Sequence, residues 1–445
     1  MMEKGFIMSK VRVHTISLGC PKNRVDTERL LGALGRNFAP ADSVAASDLV
    51  LINTCGFIRP AVEESIETIL AAIREAAEAD PRPVLAVAGC LVSRYGQADL
   101  AADLPEVNLW LSTRELETWP ALVGAALGRK NLEALGPRRL STGPAYAYLK
   151  VSEGCSHKCA FCTIPSIRGR HVVSRPLDEL EREARLLVTQ GGVSELVIVG
   201  QDVTSYGRDL GLKDGLKHLL DRLLPIKGLK WLRLMYLYPA GLTDGLLKHM
   251  ASLTGPGLPL LPYFDIPLQH AHPDILAAMG RPFARDPSLV IDRVRKHFPD
   301  AALRTSLIVG YPGETDAHFK ALKAFVQRTR FAHLGVFPYH QEEGTPAASL
   351  PGQVPQGVKT RRKNALMKLQ EGISREHLSG LVGQRLEVLV EEPSPEWPGL
   401  HVGRVWFQAP EVDGVTYVSG PKVRPGKIVL ADIEQAQSYD LVALA

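Results

Sequence analysis

Apolar residues in the first 127 positions fall into short runs: VRVHTISLG, DLVLINT, PVLAVAG and VNLWLS. Between them lie stretches such as RVDTERLLGALGRN and AVEESIETILAAIREAAEA, where apolar residues recur every three or four positions. The short runs read as strands and the periodic stretches as amphipathic helices, and their alternation predicts an N-terminal α/β domain (1–127) with a parallel sheet. The polar, Gly- and Pro-containing text GRKNLEALGPRRLSTGP (128–144) reads as a linker. Six further runs, AYAYLKVS, ELVIVG, WLRLMY, YFDIPL, LRTSLIVG and HLGVFPY, alternate with helical patterns in 145–377. Six such units are two short of a closed eight-stranded barrel, so a partial (β/α)6 barrel is expected, with its chemistry at the carboxyl rim. A charged helical stretch, GVKTRRKNALMKLQEGISREHL, leads into a tail (378–445) with runs such as RLEVLVEE, VGRVWFQA and GKIVLADI. That tail predicts a small antiparallel β-barrel of the oligonucleotide-binding kind.

Composition narrows the class. A chain of 445 residues with 45% hydrophobic side chains has material for several packed cores. Its net charge of +4, from 52 basic and 48 acidic residues, gives no overall case for a polyanionic partner. The opening MMEKGFIMSK lacks an apolar region followed by a small-residue cleavage site, and no later stretch reaches the roughly 18 apolar residues of a membrane span. The expectation is a cytoplasmic protein with no membrane partner. In that reducing setting the six cysteines, Cys20, Cys55, Cys90, Cys155, Cys159 and Cys162, point to metal or redox chemistry and not to three disulfides.

The segment EGCSHKCAFC places Cys155, Cys159 and Cys162 just after the first barrel run, at intervals of four and three. Three thiolates on one short loop can ligate three irons of a [4Fe–4S] cubane and leave the fourth open to a substrate. Zinc is the alternative, but it wants four closed ligands and would have to recruit His157 or a distant side chain. The loop, with Phe161 before its last cysteine, resembles the signature of the radical S-adenosylmethionine superfamily. The resemblance implies that the open iron chelates the methionine part of S-adenosylmethionine, and that an electron from the cluster cleaves the sulfonium to a 5′-deoxyadenosyl radical. Other segments then become candidate cofactor contacts. In SLIVGYPGET, Gly310 and Gly313 follow a strand at the place of the superfamily's adenine-contacting turn, or form a plain turn. Gly191–Gly192 and Gln201–Asp202 lie near expected cofactor and rim positions, and Gln269 and His270 end the fourth run; each reads equally as turn or helix-cap chemistry. Arg304, the one charge in an apolar strand, either pairs with the cofactor carboxylate or forms a rim salt bridge.

Cys20, Cys55 and Cys90 are spaced 35 and 35, each ending one of the first three runs. Singly each reads as an inert buried thiol. Jointly they occupy the carboxyl ends of successive strands, where α/β sheets build their sites, and they are predicted to hold a second cluster with one open iron. Such an iron can hold sulfur for donation. One open cluster that generates a radical, and another that supplies sulfur within reach, are what a sulfur insertion needs.

Taken in order, SLGCPKNRVDTE, INTCGFI, AVAGCLVSRYG, VSEGCSHKCAFCTIPSIRGRHVVSRP and YHQEEGTPAA resemble the methylthiotransferase family over essentially the whole chain, with GRHVVSRP one valine longer than the family text. The resemblance implies two [4Fe–4S] clusters, S-adenosylmethionine as both methyl donor and radical source, a one-electron donor such as flavodoxin or ferredoxin, and a C-terminal TRAM domain for substrate docking. CPKN and EEGTPA resemble the RimO-type branch, which methylthiolates the β-carbon of an aspartate in small-subunit ribosomal protein S-twelve. The branch acting on a modified adenosine of tRNA usually carries a CQMN-like text instead. The tail bears independently on that choice: from 378 to 445 it holds five cationic and nine anionic side chains, net −4. A barrel that docked on tRNA should present a basic face, so a basic ribosomal protein fits better; the alternative is that these charges only solvate the tail.

Overall fold

The computed structural model describes residues 10–35, 38–129, 138–281 and 286–445. Residues 130–137 of the 128–144 linker and the opening nine residues lie outside that range. The chain forms two compact units: Met1–Ser141 with Thr163–His171, and Thr142–Cys162 with Val172–Ala445. The short segment Thr163–His171, which interrupts the second unit in sequence, therefore folds with the first.

The first unit is a parallel sheet of β1 (Val11–Ser17), β2 (Phe38–Pro40), β3 (Leu49–Thr54), β4 (Val84–Gly89) and β5 (Leu109–Ser112), in the order β2-β1-β3-β4-β5. Every residue of β3 is buried, as a central strand covered on both faces requires. One face packs on the helix Arg59–Ala77 through Ile69, Ala72 and Ala76, the other on Leu30, Leu31 and Trp119. The edge strand β2 was not foreseen. It has three residues and ends in proline, so the apolar pattern gives it no signal.

The second unit begins with β6 (Tyr146–Lys150), followed by a two-residue pair, β7 (Ser152–Glu153) and β8 (Val173–Ser174). The remaining barrel strands are β9 (Glu195–Val199), β10 (Trp231–Leu234), β11 (Tyr263–Asp265), β12 (Ala302–Val309) and β13 (His333–Pro338). They form two parallel three-stranded sheets, β10-β9-β6 and β11-β12-β13, joined by a parallel bridge between Leu232 and Leu260. This is the expected open six-stranded barrel. The tail closes into its own barrel from β14 (Arg385–Pro393), β15 (His401–Val405), β16 (Thr416–Ser419), β17 (Ile428–Ala436) and β18 (Leu441–Leu444), in the order β14-β15-β16-β18-β17. Its pairs are antiparallel except β16–β18, which is parallel.

The small barrel seals the amino-terminal end of the large one, and each of the six large-barrel strands contributes a side chain. Tyr146 and Tyr148 donate to Glu411, and Tyr263 donates to Asp413 at 2.7 Å. Arg304 reaches Asp413 at 3.3 Å, and the His333 ring bonds Phe407 O at 2.6 Å. Glu195 is fully buried between Arg233 and Arg404, with both N–O distances 2.7 Å. Burial would raise the Glu195 carboxyl, but the two guanidiniums outweigh it and hold its pKa below the ordinary value. Three buried charges are tolerable here because each is paired and hydrogen-bonded on more than one side.

Candidate metal-cluster sites

Cys20, Cys55 and Cys90 follow β1, β3 and β4, three strands adjacent in the sheet, so ladder spacing alone brings their backbones together. Two glycines permit the approach. A Cβ on Gly19, which sits at φ +89°, would lie 3.0 Å from Cys55 Cβ, and one on Gly56 would lie 2.8 Å from the Cys90 carbonyl. Beneath the thiols runs a buried polar network. Asn23 Nδ2 donates to Leu18 O and Thr54 O, while its Oδ1 accepts from Cys90 Sγ and from Arg168. Arg168 Nε donates to Cys90 Sγ at 3.3 Å, and Nη1 pairs with Asp26 at 3.4 Å.

The three thiols feel one another and this network. Burial pushes Cys55 up to about 12, with Cys90 and Cys20 adding to the rise. Cys20 goes the other way. Burial opposes ionisation, but Lys22, Arg168 and the backbone N–H groups of Asn23 and Lys22, at the start of the helix Pro21–Ala33, hold its pKa below the usual thiol value.

In the second unit the cysteine loop leaves β7 through Gly154 at φ +80°. It is pinned by Ala160 N to Met279 O and Ala347 N to Ala160 O, and by close approach of Gly280, where a Cβ would meet Lys158 O at 2.7 Å. Phe161 packs against the cluster of Ile275, Met279, Tyr311 and Tyr339. His157 does not face the thiols as a free ligand: its Nε2 bonds Asp202 at 2.7 Å and its ring stacks on Tyr238 at 3.6 Å. Asp202, though buried, is held below its usual pKa, because hydrogen bonds from His157, Ser205 and Thr204 outweigh desolvation. Arg281 donates to Cys159 Sγ at 3.3 Å and lies 4.6 Å over the Tyr238 ring. Burial lifts Cys155 to about 11, partly offset by the His157 N–H.

Each donor set, three thiols, is of the type that ligates a cubane. Tetrahedral zinc with bonds near 2.3 Å draws its sulfurs to about 3.8 Å apart. Among the described residues, the one group of three ligand-type side chains with donor atoms all within 4.8 Å is His272, Asp274 and His318, so neither thiol trio is drawn that tight. In that histidine group both Nδ1 atoms already accept backbone N–H groups at helix starts. All six cysteines of the chain are spent in the two trios, leaving no seventh to close either set.

The other sequence candidates divide by strand end. Gln201 follows β9 and bonds Glu153, which also pairs with Lys150 at 2.8 Å. Gln269 holds φ +75° and bridges to Leu307, and the neighbouring His270 is fully buried with Nε2 lacking a hydrogen-bond partner. Gly310 and Gly313 follow β12 at positive φ, in a turn whose Gly310 and Tyr311 N–H groups both bond Glu314. These all lie at carboxyl ends. Gly192 and Arg304 do not. Gly191 and Gly192 end the helix Leu177–Thr189 ahead of β9, with Gly192 at φ +69°, a helix-stop conformation. Arg304 is the third residue of β12 and is paired with Asp265 at 2.9 Å and with Asp413 of the small barrel. It makes a salt bridge, as one alternative expected, but at the floor and not at the rim. Sequence reasoning missed Asn23, Arg168 and Arg281; the first two lie inside the quoted CPKN and PSIRGR texts.

Family models match in three places: the radical SAM superfamily over residues 149–326, uncharacterized protein family UPF0004 over 12–112, and the TRAM domain over 382–445. A protein named ribosomal protein uS12 methylthiotransferase RimO from Oleidesulfovibrio alaskensis is 61% identical, covering 98% of this chain and all of that one. Proteins of the same name from Lawsonia intracellularis and Syntrophus aciditrophicus are 53% and 46% identical, each covering 98% of both chains. Among solved structures, the radical S-adenosylmethionine methyltransferase TsrM from Kitasatospora setae, with cobalamin and a [4Fe-4S] cluster bound, aligns with TM-score 0.53 at 14% identity, covering 89% of this chain and 81% of that one. The cobalamin-dependent radical enzyme OxsB aligns at 0.52 and 11% identity, covering 82% and 56%. The structural likenesses bear on fold alone; the sequence relatives decide the family. The chain belongs to the RimO family of radical S-adenosylmethionine methylthiotransferases.

Proposed function

We propose that this enzyme replaces a hydrogen on the β-carbon of an aspartate in ribosomal protein uS12 with a methylthio group. Cys155, Cys159 and Cys162 hold one [4Fe–4S] cluster, and Cys20, Cys55 and Cys90 hold a second. Bound there, the clusters and S-adenosylmethionine supply hydrogen abstraction from carbon and the sulfur and methyl that take its place. The protein's part is placement. Each trio sits at the carboxyl end of its own parallel sheet, and the six cysteines leave one iron per cubane without a cysteine ligand. Asp202, His157, Tyr238 and Arg281 form a connected wall around the second unit's loop, while Gln201, Gln269, Gly310 and Gly313 line the same ends as candidate cofactor contacts.

The observation that carries the substrate assignment is 61% identity over 98% of the chain to proteins bearing the uS12 methylthiotransferase name. The acidic tail supports it, since a net −4 over 378–445 disfavours docking on tRNA phosphates and suits a basic protein partner. We divide the labour as a cluster-bearing region in 1–127, a linker in 128–144, the radical domain in 145–377 and the TRAM domain in 378–445. The reaction takes place in the cytoplasm with a flavodoxin- or ferredoxin-type electron donor; among the described residues no helix is long and apolar enough to cross a membrane. Mass spectrometry of uS12, alongside nucleoside analysis of tRNA, from cells with and without the gene is the test. Loss of a methylthio mark on uS12 is expected; loss of a tRNA methylthio mark with uS12 unchanged would reverse the assignment.

A further inference from the structure

Each thiol trio is met by one buried arginine from a distant part of the chain. In the first unit Arg168 Nε donates to Cys90 Sγ at 3.3 Å; in the second, Arg281 Nη1 donates to Cys159 Sγ at 3.3 Å. Both arginines are 5% exposed. Each is also anchored by groups that are not thiols. Arg168 bonds Asn23 Oδ1 and pairs with Asp26 at 3.4 Å. Arg281 donates to Pro267 O at 2.5 Å and covers the Tyr238 ring. The guanidiniums are therefore held in place independently of what the sulfurs bind.

We propose that Arg168 and Arg281 are positioning residues, each setting the reduction potential of one cluster through a charged hydrogen bond to a ligand sulfur. The inference rests on the two-cluster reading above. Reduction by a one-electron donor adds one negative charge to a cluster and its thiolates. A cation with an N–H aimed at a ligand sulfur stabilises that reduced form more than the oxidised form, so the potential rises. Burial strengthens the effect by removing solvent screening. The arrangement is reciprocal between the units, one arginine to one cysteine of each trio, and this makes it separable by experiment.

The test is a potentiometric titration, followed by EPR, of the anaerobically reconstituted full chain as wild type, Arg168→Gln, Arg281→Gln and the two Arg→Lys variants. The cluster that binds S-adenosylmethionine is recognised by the change in its signal when the cofactor is added. Arg281→Gln should lower only that cluster's midpoint and Arg168→Gln only the other's. Each shift should reach at least a tenfold change in the reduction equilibrium, about 59 mV for a one-electron couple. The Lys variants, which keep the charge, should stay nearer wild type. Unshifted midpoints in Gln variants that retain full iron, or equal shifts of both clusters by either variant, would overturn the proposal. If the Gln variants lose iron, wild-type protein labelled with 15N-arginine decides: pulsed EPR of the reduced clusters should show a nitrogen coupling at both, and absence of coupling refutes the contact. A wild-type chain carrying iron for one cluster only would sink the two-cluster reading itself, a different outcome from a missing shift.

Discussion

Glu195 offers the sharpest test of whether the TRAM barrel is an integral floor of the radical domain or a loosely tethered module. Its carboxylate has no solvent exposure and is gripped by Arg233 from β10 and Arg404 from β15, both at 2.7 Å. In Glu195→Ala, Arg404 keeps Glu391 at 2.5 Å and the Gln408 carbonyl at 2.8 Å, whereas Arg233 keeps only the Trp406 carbonyl and the face of Tyr263 among the contacts named here. Removing one member of a buried ion network costs roughly 3–5 kcal/mol, because the charge left behind stays buried. We predict a loss of that size in urea unfolding, read by tryptophan fluorescence, with Trp406 adjoining the network as reporter. Replacing Glu195, Arg233 and Arg404 together by methionine, with Glu391→Gln so that the second carboxylate partner of Arg404 is not stranded, should recover much of it, since apolar residues of similar volume need no charge partner. A Glu195→Ala variant destabilised by less than about 1 kcal/mol, the range of exposed pairs, would refute the reasoning and mean that the floor is not held by this network.

Further outcomes follow from the same geometry. The Glu195 pKa lies below its ordinary 4.5, so its contribution is complete above that value and is lost as pH falls through the folded pKa. The stability gap between wild type and Glu195→Gln should therefore close below about pH 4.5, and a gap that widened on acidification would contradict the sign. Gly56→Ala puts a Cβ 2.8 Å from the backbone of Cys90, and backbone cannot swing aside. That variant should lose about 1–3 kcal/mol and bind about four irons in place of about eight, by iron analysis after anaerobic reconstitution; full iron content would show that the close approach is tolerated. Asn23→Ala strands the carbonyls of Leu18 and Thr54, at about 1–3 kcal/mol for each group left unsatisfied. Its melting temperature should drop clearly, and an unchanged melting temperature would mean that water replaces the side chain.

Most of the fold was legible because apolar runs and helical periodicity report burial directly. β1, β3 and β4 each run to a cysteine, and parallel pairing then places three residues spaced 35 apart at one sheet edge. The sequence said less about which end of a strand a polar residue occupies relative to its neighbours. Arg304 illustrates this: a charge inside an apolar run marks a structural exception, but its position near the start of β12 sends it to the floor, where Asp413 awaits it from 109 residues downstream. Arg168 and Arg281 were invisible for a related reason. Their sulfur partners lie 78 and 122 positions away, and a lone arginine is by default read as a solvated side chain. The parallel β16–β18 pair likewise depends on how five short strands close, which alternation does not encode.

The central claim is that the two thiol trios do different work. The direct test is one reaction mixture of reconstituted Cys55→Ala with S-adenosylmethionine, reductant and uS12, in which 5′-deoxyadenosine and methylthiolated uS12 are quantified together. The account predicts that the nucleoside still forms while the methylthiolated protein does not, and methylthiolated uS12 at the wild-type level would contradict it.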